Sequence, residues 1–159
     1  MWTLMDSPVG ELRIVEKDGA ITAIEFTPYR DPDGRVRGDR ADDHPVLAEC
    51  VRQLRAYFDR DLKEFELPLA PEGTDFQQRV WTQLQGIAFG ATASYGEIAH
   101  RLGMTNAASR AVGLANGRNP IPIVIPCHRV IGANGTLTGY AGGLERKQTL
   151  LDLEADGLF

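Results

Sequence analysis

The spacing of apolar residues changes partway along the chain, from β-like alternation to a recurrence every three or four positions. Residues 2–5 lead into the turn-rich Asp6-Ser7-Pro8-Val9-Gly10. Leu12 and Ile14, then Ile21, Ile24 and Phe26, lie in two further β-like stretches. Lys17-Asp18-Gly19 joins these two, and Asp-Gly between apolar stretches is a strong hairpin signal because both positions tolerate positive φ. A small antiparallel sheet is therefore expected. Residues 27–43 are rich in Pro, Gly, Asp and Arg and read as a long mobile loop. A helix should follow, with Pro45 in its first turn, acids just before it, and Leu47, Val51, Leu54 and Phe58 facing the core. Cys50 shares that face and is expected to pack there.

The pattern breaks around Leu67-Pro68-Leu69-Ala70-Pro71-Glu72-Gly73, which predicts two domains, residues 1–72 and 73–159. Beyond the break the period is helical. Thr74 and Gln77 have capping-box spacing ahead of Phe76, Val80 and Leu84, and Ser94 and Glu97 repeat it ahead of Ile98 and Leu102, with Gly103 as a stop. Residues 106–115 read as the next helix, so two short helices flank a turn containing Gly, the helix-turn-helix pattern. A last helix is expected from about 144 to 155. The fold class is α+β: an α/β N-terminal domain with antiparallel hairpins and a mainly helical C-terminal domain.

Composition narrows the class without naming a function. The chain has 159 residues, 43% apolar and 25% charged, as in ordinary globular proteins. No apolar run is long enough to span a bilayer, the start lacks the basic and apolar regions of a signal peptide, and two unpaired cysteines suit a reducing compartment. These features point to the cytoplasm and to no membrane partner. Charge is uneven. Residues 1–75 hold 10 Lys+Arg against 17 Asp+Glu, a net of −7, whereas 76–159 hold 7 against 5, a net of +2. From Arg79 to Arg129 five arginines (79, 101, 110, 118 and 129) face the single acid Glu97, and local potential decides whether a surface can meet a phosphate backbone. Solvated surface arginines would give the same asymmetry.

The chemistry concentrates in Ile123-Val124-Ile125-Pro126-Cys127-His128-Arg129-Val130-Ile131. Apolar flanks should bury the thiol. A free Cys ionises near ~8.5, so it needs a neighbouring base or cation to act as a nucleophile at neutral pH. Adjacency alone does not supply one, since neighbouring side chains on extended backbone point apart, and on this segment alone Cys127 reads more readily as a small buried hydrophobe. The second helix of the pair is nearly bare. Ala107, Ala108, Ala111, Gly113 and Ala115 surround Arg110, which suits either tight helix packing or close approach to a DNA groove.

Pro126-Cys127-His128-Arg129-Val130 resembles the signature of the O-6-alkylguanine-DNA alkyltransferases. So do Ser94-Tyr95-Gly96-Glu97-Ile98-Ala99, Arg110-Ala111-Val112-Gly113, Asn119-Pro120 and Gly139-Tyr140-Ala141-Gly142-Gly143, in the family's order and spacing. The resemblance implies a ribonuclease H-like first domain and a DNA repair protein that needs no cofactor. O-6-alkylguanine, with O-4-alkylthymine as a further substrate class, would be flipped out of double-stranded DNA, and the alkyl group would pass irreversibly to Cys127. It implies His128 as base through a bound water, Glu154 orienting and polarising His128, and Tyr95 as the DNA-binding residue that pushes the target phosphate round and then donates a proton to the base. Arg110 would be the finger that fills the gap in the stack. Ala107, Ala108, Ala111, Gly113 and Arg118 would face DNA through the minor groove. Tyr140, Ala141, Pro126 and Val130 would line the pocket, and Asn119 would be the hinge behind it. Arg129 would brace the active-site loop or the domain interface.

Ala141 departs from the family pattern, replacing a serine that many members carry, so a side-chain hydroxyl is lost and a backbone donor stays. Some relatives hold a structural zinc. His44, Cys50 and His100 lack metal-site spacing, so no metal is expected. A monomer is expected in solution. Two other readings compete: a non-catalytic lesion-binding relative, which would lack the acceptor cysteine, and a helix-turn-helix regulator, which leaves Pro126-Cys127-His128-Arg129 unexplained.

Overall fold

A computed structural model describes residues 1–31 and 38–156. The chain forms two units, Met1–Pro71 and Glu72–Phe159. In the first, strands β1 (Trp2–Met5), β2 (Leu12–Lys17) and β3 (Ala20–Phe26) form an antiparallel sheet in the order β1-β2-β3. Asp18 and Gly19 both take positive φ, 53° and 84°, so the expected hairpin closes with a turn whose twist matches its strands. Ile14 pairs with Ile24 and Leu12 with Phe26. Met5, Leu12, Ile14, Ile21 and Ile24 are buried.

Helix α1 (Pro45–Phe58) packs on this sheet. Its N-cap is His44, just after Asp42 and Asp43, with Nδ1 accepting from Val46 N–H at 3.2 Å. Its buried stripe is Leu47, Cys50, Leu54 and Tyr57, while Val51 and Phe58 are half-buried. The expected face was therefore rotated slightly: 47, 50, 54 and 57 form the centre, with 51 and 58 at the margin.

The loop expected over 27–43 lies partly outside the described residues, at 32–37. Its described flanks are tied down. Arg13 binds Asp31, Tyr29 O–H donates to Glu11 at 2.8 Å, and Trp2 exchanges backbone hydrogen bonds with Asp39 and Ala41. The segment before the break also pairs with the sheet, Ile21 N–H donating to Pro68 O and Ala70 N–H to Ile21 O, both at 2.8 Å.

In the second unit, α2 (Asp75–Leu84) opens with the full capping box between Thr74 and Gln77 and buries Val80, Trp81 and Leu84. Ser94 caps α3 (Tyr95–Arg101), which follows the short strand β4 (Ala93–Ser94). Gly103 takes φ +75° in the turn that follows. The helix expected over 106–115 starts as a 3-10 turn, Asn106–Ala108, and continues as α4 (Ser109–Gly117). Trp81 Nε1 donates to Ala115 O at 2.9 Å, joining α2 to the end of α4. A second 3-10 turn, Cys127–Arg129, runs into β5 (Val130–Ile131), which pairs parallel with β4, and α5 (Leu144–Asp156) ends the described chain. Among the described residues, no helix is long and apolar enough to cross a membrane.

Candidate active site

The cysteine sits on a tightly held turn. Pro126 has φ −81° and ψ 65°, and Cys127 N–H donates to Ile125 O at 2.8 Å, the geometry of an inverse γ-turn. Asn119 pins the approach to it: Nδ2 donates to Ile125 O at 2.7 Å, and Oδ1 accepts from Ile121 N–H at 3.0 Å. Asn116 Nδ2 donates to Cys127 O at 3.3 Å. Ile123 takes φ +74°, a left-handed conformation that costs a β-branched residue on the order of 1–3 kcal/mol and persists only where packing dictates it. All ten residues from 121 to 130 are buried, which supplies that packing.

Cys127 itself is 5% exposed. Burial pushes its thiol up to about 11, against smaller downward pulls from Asn119, the Lys147 charge and Tyr140. At neutral pH the group is a thiol, so a base must remove its proton during any attack.

His128 is fully buried, with Nε2 2.7 Å from Glu154 Oε2. Arg129 grips the same carboxylate twice, Nε to Oε1 at 2.8 Å and Nη2 to Oε2 at 3.0 Å, and donates from Nη1 to Ile87 O at 2.6 Å. Burial pushes the Glu154 carboxyl up, but hydrogen bonds from His128 and Arg129 prevail and hold it at about 2. It is an ionised acceptor, so Nε2 of His128 carries the hydrogen. Burial lowers the His128 pKa below its usual 6.5 despite the upward pull of Glu154, which keeps the ring neutral at pH 7. Nδ1 therefore bears the lone pair. It is buried and has no hydrogen-bond partner within the protein.

Lys147 belongs to this cluster although its residue type gave no hint of it. Its side chain is fully buried on α5, and Nζ donates to Val130 O at 2.6 Å and Thr138 O at 2.9 Å. Burial lowers its pKa, with the Cys127 thiol pulling it up. One signal was available: Lys147, Leu150 and Glu154 recur at helical spacing and share the inward face of α5. Arg129, read as a brace of the active-site loop or the domain interface, ties its turn to Glu154 on α5 and to Ile87 O.

Other candidates lie on the helix pair. Arg110, Ala107, Ala111 and Arg118 are exposed, Ala108 and Gly113 are half-buried, and Ala115 turns inward. The bare stripe expected from sequence is thus split between two faces. Tyr95 rests against Gly113, where a methyl group would come within 3.6 Å of its ring, and its hydroxyl meets Thr138 Oγ1 at 2.6 Å. Thr138 is a partner the sequence did not suggest. Pro126 and Val130 are buried, Tyr140 is half-buried and Ala141 is exposed. A groove of about 580 Å³ lined by Ser94, Glu97, His100, Arg101 and Asn106 follows the helix pair and does not include Cys127. Among the described residues, no three His, Cys, Asp or Glu side chains gather as metal ligands.

Comparison with known proteins places this geometry in context. Residues 75–156 match the DNA binding domain of 6-O-methylguanine DNA methyltransferase, and residues 1–71 match its ribonuclease-like domain. A methylated-DNA--protein-cysteine methyltransferase of Mycolicibacterium paratuberculosis is 52% identical over 155 residues, covering 94% of this chain and 89% of that protein. One of the same name from Methanosarcina acetivorans is 46% identical over 157 residues, covering 96% and 97%. The Mycobacterium tuberculosis OGT, crystallised in complex with DNA, superposes with a TM-score of 0.89 at 46% identity over 98% of this chain and 93% of that one.

Proposed function

The chain belongs to the 6-O-methylguanine DNA methyltransferase family, and from that premise we propose that it repairs duplex DNA by moving an alkyl group from guanine O-6 to Cys127 Sγ. One observation supports this above the others. The residue after the cysteine is a buried neutral imidazole whose Nε2 is fixed on an ionised carboxylate and whose Nδ1 is left to accept a proton.

The chemistry is an in-line displacement. The Cys127 proton passes through a water to His128 Nδ1 while Sγ bonds to the alkyl carbon and the carbon–O-6 bond breaks. Its electron pair stays on guanine. The imidazolium that forms is stabilised by Glu154, the orienting role of the acid in a nucleophile–base–acid triad. Tyr95 donates a proton to the departing base. The Tyr95 phenolate regains a proton through solvent as the His128 imidazolium gives one up, so guanine gains one proton for the one the thiol loses and both residues return to neutral. Water does not displace a thiolate from an unactivated thioether at neutral pH, so the alkyl group stays and each molecule acts once.

A buried thiol cannot reach a stacked base, so the lesion must leave the helix. Arg110 projects from the exposed face of α4, with Ala107 and Ala111 beside it allowing close approach. We assign Arg110 to the gap left by the flipped base, Arg118 to the phosphate backbone, and the half-buried Tyr140 to the base pocket with the Ala141 backbone. The test is direct. Protein is mixed with duplex DNA containing O-6-methylguanine, then analysed by intact mass and peptide mapping. One methyl group on Cys127 per lesion consumed is expected. DNA-bound but unmodified protein would sink the proposal and favour a lesion-binding role.

A further inference from the structure

Two buried acceptors flank the Cys127 backbone without a hydrogen-bond partner within the protein: His128 Nδ1 and Asn116 Oδ1. The orientation of Asn116 is not arbitrary. A carbonyl can only accept, so the amide atom facing Cys127 O must be the donating nitrogen, and Oδ1 is the atom left over. Asn116 is 2% exposed, so bulk solvent does not satisfy that oxygen. An unpaired buried acceptor is costly, and here one belongs to the residue that holds the Cys127 carbonyl and the other to the residue that follows it. Both require a donor, and a single small group with two donor hydrogens serves them together. Water fits, since buried waters hold two to four polar partners.

We infer that Asn116 is a positioning residue for the proton relay: one water donates to Asn116 Oδ1 and to His128 Nδ1, and turns its lone pair toward the Cys127 S–H. This rests on the reading of His128 as the base. During transfer the thiol proton moves to the water oxygen as the water gives a proton to Nδ1. The hydrogen bond to Asn116 persists throughout, and a neutral water is restored. Without Asn116 the water has one fewer anchor, and its lone pair is not held toward the thiol. Asn116 stands on α4, the helix that also carries Arg110. The helix proposed to meet DNA therefore also holds the relay.

The test is a double-mutant cycle on single-turnover transfer from O-6-methylguanine duplex DNA. His128→Gln should slow transfer on the order of a hundredfold, and Asn116→Leu about tenfold. In the His128→Gln background, adding Asn116→Leu should cost far less than its own tenfold, because the relay role is already gone and only the hydrogen bond to Cys127 O remains to be lost. Multiplying effects would mark Asn116 as merely structural and overturn the inference, as would an unchanged rate for Asn116→Leu. An unchanged rate for His128→Gln would remove the base assignment itself and the inference with it. A crystal structure of the parent protein decides the matter independently of how the variants fold. A water within about 3.2 Å of both Asn116 Oδ1 and His128 Nδ1 is expected, and a dry site overturns the proposal.

Discussion

Each unit of this protein contains an arginine locked to carboxylate, and the two clusters divide their donors and acceptors in opposite ways. In the first unit Arg13 is the single cation serving two acids: Glu25 in a two-point contact at 2.9 and 3.0 Å, and Asp31, with the Tyr29 ring 4.4 Å from the guanidinium. In the second, Glu154 is the single acid accepting from two side chains, the Arg129 guanidinium and the neutral His128 ring. Surplus acid around one cation leaves nothing unpaired that can do chemistry, and the cluster fastens the strand to the chain at Asp31. Two donors on one acid, one of them an imidazole bound through Nε2, leave that ring's Nδ1 over. Solvent access widens the contrast, since the Glu25 and Asp31 side chains are 29% and 19% exposed while that of Glu154 is 1% exposed.

The sharpest way to break the second cluster is Glu154→Gln. The amide preserves shape but removes the charge, leaving the Arg129 guanidinium buried without its counter-ion. Breaking a buried pair by removing one partner costs about 3–5 kcal/mol. The variant should lose stability on that scale in urea unfolding. Its surviving folded fraction should transfer alkyl groups more slowly, because the imidazolium has lost its stabilising charge. A variant as stable as the parent would show that the carboxylate is not under electrostatic load.

What was readable in advance divides along the same line. The Asp18-Gly19 hairpin and the Thr74–Gln77 box were legible because their partners lie within a few residues, where backbone geometry alone decides the outcome. On α1 the period placed a helix but not the centre of its buried face, because the sheet beneath decides whether Tyr57 or Phe58 points inward. The nucleophile and the residues after it stood out as a motif. The Glu154–His128 pairing did not follow from spacing, since 26 positions separate the two, and only the family resemblance supplied it. Lys147, Thr138 and the inward amide of Asn116 were missed for one reason. Each residue type is usually solvated, and its burial here is set by contacts distant in sequence.

Acid should separate the clusters next. Glu154 titrates near 4.5 when free and at about 2 in the fold, so between those values the unfolded chain binds more protons than the folded one. Its contribution is complete above pH 4.5 and is lost as pH falls toward 2, an upper limit of about 3 kcal/mol. His128 acts with the same sign. Its folded value lies below 6.5, so protonation of the unfolded chain begins to erode stability below that pH. The two tryptophans allow the second unit to be watched by itself, since Trp2 lies in the first unit and Trp81, 1% exposed, in the second. A Trp2→Phe protein should show urea midpoints by Trp81 fluorescence that fall from about pH 6.5 and most steeply below 4.5. Adding Glu154→Gln should flatten the lower part. A curve unaltered by that substitution would assign the acid sensitivity to other carboxylates.

The smallest effect belongs to Asp31→Asn. Hydrogen bonding to Arg13 holds the Asp31 carboxyl below its usual range, but Arg13 keeps its two-point contact with Glu25 when Asp31 is neutralised. No buried charge is abandoned, which is the circumstance that makes the loss of Glu154 severe. Thermal unfolding should therefore shift far less than in Glu154→Gln, and the single-turnover rate should equal that of the parent, because the first cluster holds no group placed in the relay. A transfer rate that fell with Asp31→Asn while stability held would tie the first unit to the chemistry, and the division between a fastening cluster and a reacting one would have to be abandoned.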